Sequence, residues 1–390
     1  MRSLLVVIHT NITLILTLSL LILGSPFVAK LIRIPTPPVE IILGSIFAYI
    51  GLISENTYFN LIAEVGFLYL MFLAGMEVDL KTITRSPKSI IKKSILFLVI
   101  MFFFSLAFGM LFRLNIITII SMPLVSIGLL ASLSKSYGKE QSWIQLAFIA
   151  GVLGEIISIA ALTIFDAAST TGFTIMLLVK IGYLLLFIVS VYLSYRLLHL
   201  LFWWFPEFKH TLMPKFDTAD QDIRLAMSLF FILIAVMLSL DLELALGAFI
   251  AGIGISAFFH HEKELEKKMS SLGFGFLVPL FFIHVGASFD LSSLMVEGVL
   301  QGGLLISFLM ILSRILAAVV LKGISGSRDA LRIGLSLSMP LTLLVAVATI
   351  GYETKLLDLL SYYQLILASI FEILFSMTMI KFLHTKKEEN

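Results

Sequence analysis

The stretch Ile149–Ala161 reads Ile-Ala-Gly-Val-Leu-Gly-Glu-Ile-Ile-Ser-Ile-Ala-Ala, an apolar run with a single carboxylate, Glu155, near its middle. An isolated charge at the centre of a bilayer costs at least about 3 kcal/mol, so such a residue needs a partner, water or a ligand. The small residues around it, Gly151, Gly154 and Ser158, leave room for another backbone or an ion. We therefore expect the rest of the chain to form a frame around Glu155.

The composition indicates an all-α membrane protein. Of 390 residues, 59% are hydrophobic and 13% are charged, and the absence of cysteine excludes disulfides and cysteine metal sites. Apolar runs of about 20 residues are typical of membrane-spanning helices. We predict thirteen spans, at 11–31, 35–53, 57–76, 90–112, 115–134, 143–165, 173–198, 223–240, 242–259, 271–288, 298–320, 330–350 and 360–382.

The loops predict the orientation of these spans. Segments that follow the odd-numbered spans carry 22 of the 27 lysine and arginine residues. Positively charged loops stay on the cytoplasmic side. The pattern therefore places the N-terminus outside and the C-terminus in the cytoplasm of a plasma (inner) membrane protein.

Span five is easily interrupted. It contains Pro123, Ser126 and Gly128, and unwound carbonyls and hydroxyls at membrane depth are good ligands for hard cations. For this span taken alone, a plain proline kink with serines bonded back to the helix is the favoured interpretation.

Arg314 lies near the middle of span eleven and keeps its charge. We expect Glu155 or Glu64 to be its anionic partner, and a purely structural ion pair of Glu155 is the alternative to an ion site. Glu64, one turn inside the outer end of span three, fits either the interface or a path by which a cation reaches the site.

An internal repeat relates two pairs of spans. Ser-Met-Pro-Leu occurs at 121–124 and at 338–341, an offset of 217 residues, and the same offset leads from Glu155 to Glu372. The second copy brings a second proline, Pro340. Because seven spans separate the copies, they have opposite orientations, which is typical of inverted-repeat transporters with broken helices at a midplane site.

The chain resembles the monovalent cation:proton antiporter-2 family, with its Kef-type potassium and Nap-type sodium antiporters. The resemblance rests on the stretches 63–79, 246–252 and 279–286. It implies an inverted-repeat fold with two crossed, discontinuous helices, and a homodimer. It also implies a division into 1–88 (scaffold and dimerisation helices 1–3), 89–168 (core repeat 1, helices 4–6), 169–220 (linker helix 7 and a cytoplasmic loop), 221–296 (scaffold helices 8–10) and 297–390 (core repeat 2).

The resemblance also implies an ion site. Gly154 and Glu155 stand where the family has an acidic dipeptide, and Arg314 stands where it usually has lysine. We expect Glu155 to bind a proton or a monovalent cation (Na⁺ or K⁺) in turn. The expected further ligands are Ser126, Ser158, Gly154 and Thr342, and the expected compensating charges are Arg314, Glu64 and Glu372. With one acid, we expect one-for-one, electroneutral exchange.

Two other functions remain open at the sequence level. One is a cation-coupled symporter in which Arg314 binds an organic anion, and the other is a Kef-like efflux channel. An enzyme is not expected, because no metal-binding histidine cluster or nucleophile–base pair falls at membrane depth. We expect no cofactor and no nucleic-acid partner, and the bilayer as the surroundings.

Overall fold

The structure is a computed structural model that describes residues 2–32, 35–54, 56–78, 87–171, 175–205, 207, 220–259 and 263–388. In these ranges all regular structure is helical. The helices, numbered in chain order, are α1 Arg2–Ile32, α2 Thr36–Tyr49, α3 Thr57–Met76, α4 Lys88–Leu111, α5 Ile116–Ser121, α6 Gly128–Tyr137, α7 Ser142–Thr171, α8 Ile175–Trp204, α9 Gln221–Ser239, α10 Leu244–Phe259, α11 Lys263–Leu272, α12 Val278–Ala287, α13 Val299–Ala318, α14 Lys322–Ser336, α15 Leu341–Glu353 and α16 Leu359–Glu388.

The helices agree with a multi-pass membrane protein. Nine helical stretches in the described residues are long and apolar enough to cross a bilayer, and two shorter apolar helices, at Leu244–Phe259 and Leu343–Glu353, accompany them. The predicted number of thirteen is not confirmed by this criterion. Broken spans such as α5 and α6 are individually too short for it, and α13 runs on through a 3₁₀ turn into α14.

Two helix breaks lie in the repeated segments. Helix α5 ends at Ser121 and α6 begins at Gly128, so residues 122–127 connect the two helices without α-helical structure. Helix α14 ends at Ser336 and α15 begins at Leu341. Pro123 lies in the first break and Pro340 is the last residue of the second, where a proline cannot supply the N–H that would continue the helix.

The helices pack in two groups. Helices α1–α3 pack with α9–α12, and helices α4–α7 pack with α13–α16. In the first group, glycines bring backbones into direct contact. A Cβ atom on Gly252 of α10 would meet the carbonyl oxygen of Phe72, and one on Gly286 of α12 would meet that of Ile41. We call the two sets the first and the second helix group; α3 and α6 contact each other across their boundary.

Candidate functional site

Helix α7 carries Glu155 against the first helix break. The Glu155 side chain is fully buried, and its Oε2 atom accepts a 2.7 Å hydrogen bond from the backbone N–H of Ile127. Its Oε1 atom has no hydrogen-bond partner within the described part of the chain. A buried carboxylate oxygen without a donor is unfavourable, so this atom is available to a proton or a cation.

Ser158 lies one helical turn beyond Glu155 and contacts the same break. Its Oγ accepts a 2.8 Å hydrogen bond from the N–H of Val125. Glu155 and Ser158 therefore cap alternate N–H groups, which the interruption of the helix would leave unsatisfied. This bond makes Ser158 a support of the break, a role that the sequence did not indicate.

The glycines of α7 allow this close approach. A Cβ on Gly154 would lie 2.9 Å from the Cβ of Val125, and a Cβ on Gly151 would lie 2.5 Å from Cγ2 of Ile127. Both distances are below the van der Waals contact of two carbon atoms. Gly154 therefore acts by leaving space for the break, since it has no side chain to bind an ion.

Two further predicted ligands come from the breaks. Ser126 is buried and its side chain lies beside the Glu155 carboxylate. Thr342 is the second residue of α15, next to the second break, but its side chain lies outside the described residues. Carboxylate and hydroxyl oxygens such as those of Glu155 and Ser126 are hard ligands of the kind that suits alkali cations.

Arg314 joins the two breaks. This fully buried guanidinium on α13 donates to the carbonyl oxygen of Leu124 in the first break at 2.6 Å and to that of Leu337 in the second at 3.1 Å. It also donates to the carbonyl of Met310 at 3.0 Å. Carbonyls at helix ends carry partial negative charge, so the cation compensates both breaks at once.

The anionic partner of Arg314 is Glu372, one of the expected compensating charges, and neither of the two acids expected to pair with it directly. The structure pairs Arg314 with Glu372 of α16, at 3.4 Å between Nη1 and Oε1, and both side chains are fully buried. Glu155 contacts the break instead, and Glu64 is exposed on α3. The expectation that Glu155 or Glu64 neutralises Arg314 is therefore wrong. Sequence position alone could not decide which of three acids the guanidinium reaches.

Glu372, the repeat counterpart of Glu155, also has one oxygen without a partner. Its Oε2 atom and the hydroxyl of Ser376, one turn further along α16, are buried without a hydrogen-bond partner in the described residues. The two acids have different partners. Glu372 pairs with the permanent cation of Arg314, whereas Glu155 accepts from the backbone N–H of Ile127.

The site is closed on the side of the first helix group. A cavity of about 10 Å³ lies between Ser126 and the apolar side chains of Met71, Phe281, Phe282 and Met339. That volume holds at most about one water molecule. Glu155 is thus separated from bulk water in this structure.

A larger cavity lies near the end predicted to face outward. It has a volume of about 500 Å³ and is lined by α2, α3, α12 and Tyr362 of α16. His284 in its wall contacts Asn60, with 3.0 Å between Nε2 and Oδ1. Residues of both helix groups therefore form its walls.

The family model for the transmembrane sodium/hydrogen exchangers matches residues 15–386. The chain belongs to the sodium/hydrogen exchanger family. This family is one of transporters, which agrees with a site built from buried charges and helix breaks rather than from catalytic groups. Family membership also confirms the resemblance to cation:proton antiporters and leaves the subtype open.

Individual relatives extend this result. YjbQ of Bacillus subtilis, a candidate Na⁺/H⁺ antiporter, is 25% identical over 98% of this chain, which spans 64% of the length of YjbQ. AmhT of Alkalihalophilus pseudofirmus, an ammonium/H⁺ antiporter subunit, is 28% identical over 82% of this chain and 81% of AmhT. The structure of the sodium proton antiporter MjNhaP1 from Methanocaldococcus jannaschii has a TM-score of 0.65 at 16% identity, covering 98% and 99% of the two chains. The similarity to MjNhaP1 establishes the antiporter fold.

Proposed function

We propose that this protein exchanges a monovalent cation, Na⁺ or K⁺, for a proton by alternating access, with Glu155 binding the two ions in turn. The observation that carries the proposal is the Glu155 carboxylate itself. One of its oxygens is fixed by the Ile127 N–H, and the other is buried without a partner in the described residues. A proton on Oε1 removes the negative charge that a cation needs, so the two ions exclude each other.

The surroundings of Glu155 supply the rest of the coordination. Ser126, with backbone oxygens of the break and Thr342, would complete the ligand set around a bound cation. Gly154 and Ser158 hold α7 against the break and keep the carboxylate in place. The names of YjbQ and AmhT describe different cations, which supports testing several ions at the same site.

We further propose that exchange is one-for-one and electroneutral. Arg314 and Glu372 form a neutral pair that takes no part in ion binding. Glu155 is neutral with a proton and is neutralised by a bound monovalent cation. The site therefore carries the same net charge in both directions of the cycle.

The two other functions have less support. An organic-anion symporter needs free donors on Arg314, but Nε and both Nη atoms donate to three carbonyls and Glu372. An open channel needs a continuous water path, whereas Glu155 and Arg314 are fully buried.

The arrangement that we propose in the membrane is the one expected from the sequence. We propose a homodimer in the plasma membrane with the N-terminus outside, the C-terminus in the cytoplasm, and repeats of inverted orientation. The matching helix breaks at 122–127 and 337–340 support the repeat. In this proposal the second helix group moves against the first.

Proteoliposomes that contain a pH-sensitive dye test the function. Addition of Na⁺, K⁺ or Li⁺ should cause proton movement in the wild type, and Glu155→Gln should abolish it because glutamine neither binds a proton nor offers a charge. Glu297→Gln, at an exposed acid just before α13, is the matched control and should retain exchange. No proton movement with any of the three cations in the wild type would refute the proposal.

A further inference from the structure

The C-terminal end of α6 makes three contacts with the first helix group. The hydroxyl of Ser134 donates to Oε2 of Glu77, the residue that ends α3, at 3.2 Å. The ammonium of Lys135 lies 4.5 Å from the ring centre of Phe274, in the π turn between α11 and α12. Just beyond α6, Nζ of Lys139 forms a 2.5 Å ion pair with Oε1 of Glu266 on α11.

Lys139 interacts with three acids. Besides Glu266, its charge interacts with Glu77 and with its chain neighbour Glu140. The acids at 77 and 266 belong to the first helix group, and Lys139 follows α6 of the second. One cation therefore holds together two helix ends that otherwise repel each other.

Helix α6 connects these contacts to the ion site. It begins at Gly128, directly after Ile127, whose N–H donates to Glu155. Its ten residues form a rod of about 15 Å. A displacement of Lys139 relative to Glu266 is thus transmitted by a short, stiff element to the backbone that holds the ion-binding carboxylate.

The contacts lie on one side of the membrane only. They are at the end predicted to face the cytoplasm, whereas the cavity of about 500 Å³ lies near the opposite end. Any opening between α3 and α6 towards the cytoplasm separates Lys139 from the two acids. The Lys139 and Glu266 side chains are 41% and 31% exposed, and partly exposed ion pairs are weak enough to break in every cycle.

We propose that Lys139, held between Glu77 and Glu266, is the inner gate of the exchanger. Closed, as in this structure, it seals the path from the cytoplasm to Glu155. It opens when α6 moves away from α3 and α11. The assignment rests on the proposed exchange function, but its structural part can be tested without transport.

The labelling rate of a single cysteine shows whether the gate is open or closed. The chain has no native cysteine, so Ser126→Cys introduces a unique reporter beside Glu155. Inverted vesicles are labelled with a membrane-impermeant maleimide from the cytoplasmic side. Lys139→Gln and Glu266→Gln should each speed the labelling several-fold, and Lys139→Arg, which keeps the positive charge, should label at the slow parent rate.

Glu264→Gln is the matched control, because Glu264 is an exposed acid on the same helix outside the gate. It should label at the parent rate. Labelling of Lys139→Gln at the parent rate, or labelling of Lys139→Arg as fast as that of Lys139→Gln, would overturn the proposal. Labelling does not depend on transport, so a wild-type protein that fails to exchange ions overturns the proposed function and leaves the gate test intact.

A second measurement closes the gate covalently. Lys139→Cys with Glu266→Cys is bridged by a short bis-methanethiosulfonate, because side chains that meet at their tips place their Cα atoms further apart than a disulfide spans. Bridging should stop ion exchange, and a reductant should restore it. Full exchange in the bridged protein would contradict an inner gate at this position.

Discussion

At the scale of single residues, the ion site depends on hydrogen bonds from the broken backbone to α7. Glu155 and Ser158 accept from the N–H groups of Ile127 and Val125. Both acceptors are buried, so no water replaces them when one is removed. The site is therefore sensitive to changes that add no charge and leave the carboxylate in place.

Replacement of Ser158 by alanine should weaken cation binding. The variant leaves the Val125 N–H buried without an acceptor, which costs about 1–3 kcal/mol. We expect a higher KM for the cation with little change in kcat, measured as dye dequenching at several cation concentrations. Ser158→Thr keeps the hydroxyl and should remain close to wild type. Equal KM values for the alanine variant and the wild type would show that the bond does not position the site.

Replacement of Gly154 by alanine should overpack the break. The new Cβ would lie 2.9 Å from Cβ of Val125, and overpacking of this kind costs about 1–3 kcal/mol. Thermal unfolding in detergent should show a lower Tm. Val125→Gly removes all three atoms that the new Cβ would contact, so the double variant should lose less Tm than the two single variants together. Additive losses in the two variants would argue against direct contact between these positions.

At the scale of helices, Arg314 joins α13 to both broken helices and to α16. Its donors reach Leu124, Leu337 and Glu372. The breaks expose carbonyl oxygens that no helix satisfies, and one planar guanidinium bonds oxygens from both. Arg314 therefore determines how the two halves of the second helix group cross.

Removal of the Arg314 charge should destabilise this crossing. Arg314→Met leaves Glu372 buried without its cation, a loss of about 3–5 kcal/mol. We expect a strongly reduced Tm in detergent. Addition of Glu372→Gln should restore part of it, because the second variant removes the uncompensated carboxylate. If Glu372→Gln brings no recovery, the ion pair is not the main reason for the loss.

The sequence predicted the helices well and their contacts poorly. Span three was expected at 57–76 and α3 runs over Thr57–Met76, because hydropathy and helix capping are local properties. The breaks were expected from the repeated Ser-Met-Pro-Leu segments and from the family resemblance, because a proline in one span alone also fits a plain kink. The partner of Arg314 depends on how α13 and α16 lie side by side, and no local pattern encodes that. The capping role of Ser158 was missed because the hydroxyl acts on a distant segment.

At the scale of the whole molecule, the two helix groups meet where α3 faces α6. The backbones of the first group pack closely against one another at glycines such as Gly252 and Gly286. The ion site belongs wholly to the second group. Movement of the second group past the first would carry Glu155 from one side of the membrane to the other with its ligands unchanged.

Electroneutral exchange is the prediction that belongs to this scale. The moving group carries Arg314 with Glu372 and a neutralised Glu155, so the membrane potential does no work on it. A potassium gradient in the presence of valinomycin sets the membrane voltage. This voltage should leave the Na⁺-driven proton flux unchanged. For this test K⁺ must first be excluded as a substrate. A flux that follows the imposed voltage would indicate unequal numbers of charges in the two directions.

The most direct test of competition at Glu155 counts the protons released when a cation binds. Purified protein in weakly buffered detergent solution is titrated with the transported cation, while binding is followed by calorimetry and proton release by a pH indicator. We predict one proton for each bound cation at a pH where Glu155 is protonated, and neither binding nor release in Glu155→Gln. Cation binding without proton release, or proton release that persists in Glu155→Gln, would contradict exchange at this carboxylate.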